Sequence, residues 1–260
     1  MVDRVVVALS SGLASAWCAE WALRKFGRER VVLYFNDTRW EHPDLYRFLA
    51  DLANLYGQTI TEDSDGRSPE ELFYYKHALA SNQMPFCSHI LKAKRLQMFC
   101  RSGDLLVFGV GSDELERARR IVGIYQVVSS KLKKDIKLSF PLITENAPES
   151  LRDWLQATGV ALPTLYRMGF THNNCYGGCV RAGKLQWKML YEKLPEVYLD
   201  RERVEREWRS HFGKNHSFFR DETLEQFRRR IEKGQLSKHY LKNDFYLPLF
   251  ECFGICDYAA

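Results

Sequence analysis

The segment Arg4-Val5-Val6-Val7-Ala8-Leu9-Ser10-Ser11-Gly12-Leu13-Ala14-Ser15 constrains this chain more than any other. A β-branched run without Pro or Gly favours a buried strand. It breaks into a small, hydroxyl-rich turn and then into Ala16-Trp17-Cys18-Ala19-Glu20-Trp21-Ala22-Leu23, which reads as a helix. Strand, turn and helix N-terminus in one unit make a natural anion site, because the first helical N–H groups have no internal partners and carry the positive end of the helix dipole. The same serines also suit simple helix capping. No Gly-Lys-Ser/Thr follows, so the turn is not the lysine-containing phosphate loop of the common NTPases.

Apolar runs recur at Val31–Phe35 and Asp104–Val110, and the stretch between them carries helical periodicity. Leu45, Phe48, Leu49, Leu52 and Leu55 return at three- and four-residue intervals, which predicts an amphipathic helix over 43–56 closed by Gly57. Gln58 to Thr61 reads as an edge-like strand, and 63–70 as a turn in which Ser68 caps a helix beginning at Pro69. Strands alternating with helices predict an α/β fold with a doubly wound, mostly parallel sheet, whose ligands lie beyond the carboxyl ends of the strands. Ser10, Ser11, Gly12, Ser15, Asp37, Gly109 and Gly111 all fall at such ends and are the expected nucleotide-binding positions. Asp37 also suits a turn cap before Glu41-His42-Pro43, and the charged run 112–120 also suits a solvated helix face.

From Pro163 onward the composition shifts towards Gly, Asn, His and Cys over 163–184, and towards charge over 201–242. The expected organisation is an α/β domain over 1–162 with a Cys-rich, helical C-terminal appendage, 163–260, packed on it. Residues 201–242 hold 12 Lys/Arg against 7 Asp/Glu, a surplus equal to the chain's whole net charge of +5. Trp208, Phe212, Phe218, Phe219 and Phe227 are interleaved with these cations, a pattern suited to single-stranded RNA. Helical spacing of Val204, Trp208 and Phe212, and of Leu224, Phe227 and Ile231, favours core-facing stripes instead. No apolar run approaches the ~20 residues of a membrane span. Met1-Val2-Asp3-Arg4 leaves no room for a signal peptide, so a cytoplasmic protein is expected.

Seven cysteines, an odd number in a reducing compartment, argue against a disulfide framework. Cys175-Tyr176-Gly177-Gly178-Cys179 sets two thiols around a Gly-Gly turn, and Cys252-Phe253-Gly254-Ile255-Cys256 repeats the spacing. With Cys87 these make five candidate metal ligands: Cys87, Cys175, Cys179, Cys252 and Cys256. Three readings stay open. One is an iron–sulfur cluster, the second a four-thiolate zinc site, the third unmetallated cysteines that pack or act as a redox pair. Cys18 and Cys100 sit in apolar helical contexts and are expected in the core.

Ser10, Gly12 and Ser15 match the Ser-Gly-Gly-X-Asp-Ser turn of the ATP pyrophosphatase (PP-loop) and phosphoadenosine-phosphosulfate (PAPS) reductase superfamily, with Ser11 in place of a Gly and Ala14 in place of an Asp. Together with Asp37-Thr38, Glu41-His42-Pro43, Pro85-Phe86-Cys87-Ser88, Gly109–Glu114 and Gly169–Cys175, the chain resembles the PAPS-reductase-like, adenine-nucleotide α-hydrolase-like proteins over most of residues 4–195. The resemblance implies a HUP-like fold and nucleotide binding. It implies sulfur chemistry, either as an ATP-dependent sulfurtransferase with an adenylated intermediate and a 4Fe–4S cluster or as a PAPS/APS reductase; the altered Ser11 and Ala14 positions leave open a third reading, a non-catalytic nucleotide-binding component of a nucleic-acid modification or defence complex. The tail is similar to the Glu-Cys-Gly motif of the reductases, although Phe253 intervenes. Cys252 and Cys256 are therefore expected nucleophiles, and Lys92 and Arg117 are expected to stabilise phosphate charge. The expected partners are ATP (or PAPS/APS as substrate), an RNA or small-molecule acceptor, a sulfur or electron donor, and a second copy in a homodimer.

Overall fold

Val5–Ala8 forms β1, with all four residues buried, and the neighbouring strands extend in register from it. The computed structural model describes residues 3–237. Its sheet has five strands, β1, β2 (Val31–Asp37), β3 (Ile60–Ser64), β4 (Leu105–Val107) and β5 (Lys137–Ser139), in the order β3-β2-β1-β4-β5. Every pairing is parallel, so all carboxyl ends share one edge. The strand order reverses at β1 and β4, which opens a crevice directly beyond the Ser10–Ser15 turn.

The predicted edge strand at 58–61 lies a little further on, at Ile60–Ser64, and takes in the start of the expected turn. Asp63 explains the shift, since it pairs with Arg95 and accepts from the Tyr34 hydroxyl, fixing the strand against the sheet through its side chain. Helices α1 (Leu13–Phe26) and α2 (Pro43–Tyr56) follow β1 and β2. In α2 the expected apolar face is buried at Leu45, Phe48, Leu49 and Leu52 while Leu55, expected on the same face, is exposed, and Gly57 ends the helix in the left-handed region at φ 57°. Ser68 and Glu71 form a reciprocal capping box at the start of α3 (Pro69–Lys76). Beyond it come α4 (Phe86–Ser88), a π turn at His89–Ala93, and α5 (Lys94–Phe99). After β4 the charged run enters α6 (Leu115–Leu132). Short helices α7 (Pro141–Thr144), α8 (Leu151–Ala157) and α9 (Thr164–Arg167) lead to the C-terminal helices α10 (Lys184–Lys193), α11 (Pro195–Phe212) and α12 (Leu224–Glu232).

One sheet face packs on α1, α2 and α8 through Val5, Val7, Phe48 and Leu155; the other packs on α5 and α6 through Val6, Ala8, Leu96 and Ile121. A third core joins the C-terminal helices to α3 and Phe86 through Phe73, Trp187, Trp208, Phe218 and Phe227. Each such side chain contributes about 1.5–3 kcal/mol by leaving water. Trp208 also donates its Nε1 hydrogen to the Phe73 carbonyl at 3.1 Å. The aromatics interleaved with the C-terminal cations are thus core-facing: Trp208, Phe218 and Phe227 are fully buried and offer no face to a base. Among the described residues no helix is long and apolar enough to cross a membrane.

Candidate functional site

The turn after β1 closes on itself through its hydroxyls. Ser15 Oγ accepts from Ser10 N and from Ser10 Oγ, both at 3.0 Å, and donates to the Gly12 carbonyl at 3.0 Å. Ser11 takes a left-handed backbone, φ 58°, and its hydroxyl donates to the Ser10 carbonyl. That conformation explains why a Gly suits the position. Gly12 occupies the N-cap of α1 and no side chain caps that end, so the first-turn N–H groups face the crevice without a side-chain acceptor. A Cβ at Gly109 would lie 2.6 Å from Ser15 N and 2.7 Å from Ala14 C. Gly109 therefore lets the end of β4 pack under this turn. At Gly111 a Cβ would meet only the mobile end of Asp113.

At the end of β2, Asp37 accepts from the Arg39 N–H at 2.8 Å and from the Tyr46 hydroxyl at 2.9 Å, which is the turn-capping role. Chemistry gathers instead at Glu41, whose side chain is fully buried. Its Oε1 accepts from Thr38 Oγ1 at 2.8 Å and pairs with buried Lys92 Nζ at 3.2 Å; its Oε2 accepts from Cys175 N at 2.6 Å. The sequence shows Glu41 only as part of Glu41-His42-Pro43 and gives it no role, because its partners Lys92 and Cys175 come from far along the chain. Its position two residues before Pro43, at the carboxyl end of a strand, was the available signal.

Cys87, Cys175 and Cys179 line one pocket together with Thr38, Trp40 and Lys92. The two later thiols come from a strained turn, in which Cys175 and Tyr176 both hold left-handed backbones at φ 52° and 53°. Glu41 fixes the turn at the Cys175 N–H, and the Gly178 N–H returns to the Cys175 carbonyl at 2.9 Å. Just upstream, Asn173 Nδ2 donates to the Ser11 carbonyl at 3.3 Å, so the thiol turn and the Ser10–Ser15 turn are hydrogen-bonded to one another. His172 is fully buried; burial and the Lys92 charge push it down to about 4, and the neutral ring accepts from the Gln186 amide at 2.8 Å. Arg201 from α11 lies 3.6 Å from the centre of the Trp40 ring.

Thiolate donors beside cations suit a zinc ion or an iron–sulfur cluster by chemistry. Among the described residues, however, no three His, Cys, Asp or Glu side chains assemble a set able to hold a metal ion. The three thiols share a pocket without forming a ligand shell, and Cys252 and Cys256 lie outside the described residues. Lys92 is in the site; Arg117, buried on α6, pairs with Glu114 at 2.8 Å. Cys18 and Cys100 are buried in the sheet cores, and burial pushes the Cys100 thiol up to about 12.

Comparison with known proteins bears on this geometry. Neither curated proteins nor solved structures gave a match. A family model described as the phosphoadenosine phosphosulfate reductase domain matches residues 4–179, a span that begins at β1 and ends at Cys179. A parallel sheet with a serine-rich turn at its switch point, and thiols tied to that turn inside the matched span, agree with this match: the chain belongs to the phosphoadenosine phosphosulfate reductase domain family, whose chemistry is broadly that of sulfur and adenine nucleotides.

Proposed function

We propose that the protein is an ATP-dependent sulfurtransferase. The observation that carries this reading is the Asn173–Ser11 hydrogen bond, which sets the thiol pocket against the turn that would hold the nucleotide's phosphates. An acceptor carbonyl oxygen attacks the α-phosphorus of ATP, and pyrophosphate leaves. The α-phosphate held at Ser10–Ser15 and the α1 N-terminus makes that oxygen a good leaving group, and the Lys92 ammonium stabilises the developing charge. Cys87, the more exposed of the three pocket thiols, carries a persulfide delivered by an external persulfide donor. Its terminal sulfur attacks the adenylated carbon and AMP leaves. Cys175 or Cys179 then attacks Cys87 Sγ, releasing the thiocarbonyl product and leaving a Cys–Cys disulfide that an external dithiol reduces.

A second reading, sulfonucleotide reduction, is favoured by the family model itself. There the nucleotide is the substrate: a cysteine thiolate attacks the sulfur of PAPS or APS and the adenosine phosphate leaves, and an external dithiol then attacks the cysteine sulfur of the resulting S-sulfocysteine, releasing sulfite and ending as a disulfide. Assays with ATP plus a persulfide donor, and with PAPS or APS plus a dithiol, separate the two. Release of AMP and pyrophosphate supports the transferase; sulfite release without pyrophosphate supports the reductase.

A further inference from the structure

The segment Phe86–Lys92 has two sides. Cys87, Ser88, Leu91 and Lys92 line the thiol pocket, while Phe86, His89 and Ile90 line an open groove of about 590 Å³ on the other side. The wall between them includes the π turn at His89–Ala93, a distortion found often at functional sites. Arg67, Lys76, His89 and Lys94 supply the groove's polar lining, and no carboxylate contributes to it. Beside Arg67, Lys76 and Lys94, the cations of this lining, stand two large apolar side chains in water, Tyr75 at 67% and Met84 at 40% exposure. The Arg67 guanidinium is 4.7 Å from the centre of the Tyr75 ring, and Lys76 Nζ is 5.9 Å from it.

Surface cations are ordinarily solvated and mean nothing by themselves. Here the contrast with α11 and α12 decides. In those helices Arg203, Arg228, Arg229 and Arg230 all pair with carboxylates, so the densest positive run in the sequence is neutralised locally. In the groove Arg67 pairs with Asp65, whereas Lys76 and Lys94 have no ion-pair partner among the described residues. Uncompensated positive charge is thus concentrated around an exposed aromatic face, one protein wall away from Cys87. A ligand complementary to this arrangement is a flexible polyanion that also carries flat apolar rings.

We propose that this groove binds single-stranded nucleic acid, with phosphates at Lys76 and Lys94 and a base stacked at Tyr75. It rests on the proposed function in one respect only, that a base of the bound strand is the sulfur acceptor. A strand held there runs along the outer side of the segment that bears Cys87.

The test is fluorescence anisotropy on the full chain, with a labelled single-stranded RNA of about 12 nucleotides, a duplex of equal length, and polyglutamate as a ring-free competitor. Tyr75, Lys76 and Lys94 are exposed, so Tyr75→Ala and Lys76→Glu/Lys94→Glu are expected to melt at the wild-type temperature. Tyr75→Ala is expected to weaken single-strand binding by about 5- to 150-fold, the loss of one stacked base. In Lys76→Glu/Lys94→Glu the slope of log affinity against log salt falls by at least about 1.4, two contacts at about 0.7 each. Wild-type affinity in both variants overturns the proposal, as does absence of single-strand binding by the wild type at low salt. Displacement by polyglutamate with no effect of Tyr75→Ala also overturns it, and assigns the groove to an acidic protein. If binding behaves as expected but AMP is never released, the proposed function fails and the groove stands. If AMP is released with a free small carbonyl acceptor but RNA does not bind, the groove fails alone.

Discussion

Glu41 accepts the Cys175 backbone N–H at 2.6 Å with one carboxylate oxygen and holds the Lys92 ammonium at 3.2 Å with the other. A single buried carboxylate therefore ties the end of β2, the π turn and the strained cysteine turn into one site. Breaking such a pair by removing one partner is costly because the other charge stays behind in low dielectric.

Glu41→Gln is expected to destabilise the protein by about 3–5 kcal/mol and to lower its thermal midpoint by roughly 6–20 °C. Glu41→Gln/Lys92→Met, which removes both charges, should recover part of the loss. Denaturant melts of the two single variants and the double variant measure the coupling; additive effects would show that the pair does not act as a unit.

Gly109→Ala places a methyl against backbone atoms of Ser15 and Ala14, neither of which can rotate away. The expected cost is about 1–3 kcal/mol, together with weaker ATP-analogue binding because the phosphate turn is displaced. Ser11→Gly, in contrast, relieves a left-handed backbone and loses one local hydroxyl bond, so its stability should stay within about 1 kcal/mol of the wild type. Calorimetric titration of both variants checks the pair. Equal nucleotide affinity in Gly109→Ala and the wild type would contradict the packing role.

These two glycine-turn positions show what the sequence discloses and what it hides. Local signals carried the fold: the β-branched run into small residues, the three-and-four spacing of α2, and Ser68-Pro69 at a helix start all describe interactions within a few residues. Gly109 reads from sequence as a ligand-binding position at a strand end, yet what crowds it is the backbone of α1, a tertiary fact. Glu41 was unremarkable because its carboxylate is satisfied by groups 51 and 134 residues away. The C-terminal cations read as a basic patch in one dimension, while in three dimensions their neighbours are carboxylates such as Glu202 and Glu222. Charge counted along a chain does not report pairing across helices.

Stability should also carry a pH signature from Glu205, which accepts the Phe218 and Leu224 N–H groups at 2.8 and 2.7 Å. Burial pushes its carboxyl from the ordinary 4.5 up to about 7, against the pull of those two bonds. The folded protein then holds a proton that the unfolded chain has released, so this group's contribution to stability falls as pH rises from about 4.5 through about 7. Urea unfolding across that window should show a smaller decline in Glu205→Gln than in the wild type. Parallel curves would contradict the assignment.

The central claim is that the phosphate turn and the thiol pocket form one site, and alkylation of the thiols with and without nucleotide tests it most directly. Without nucleotide, Cys87 should react fastest, Cys175 and Cys179 more slowly, and buried Cys100 not at all in the native protein. A saturating nonhydrolysable ATP analogue should slow labelling of Cys87, Cys175 and Cys179 together, read by peptide mass spectrometry. Unchanged rates at all three thiols, with the analogue demonstrably bound, would contradict the account.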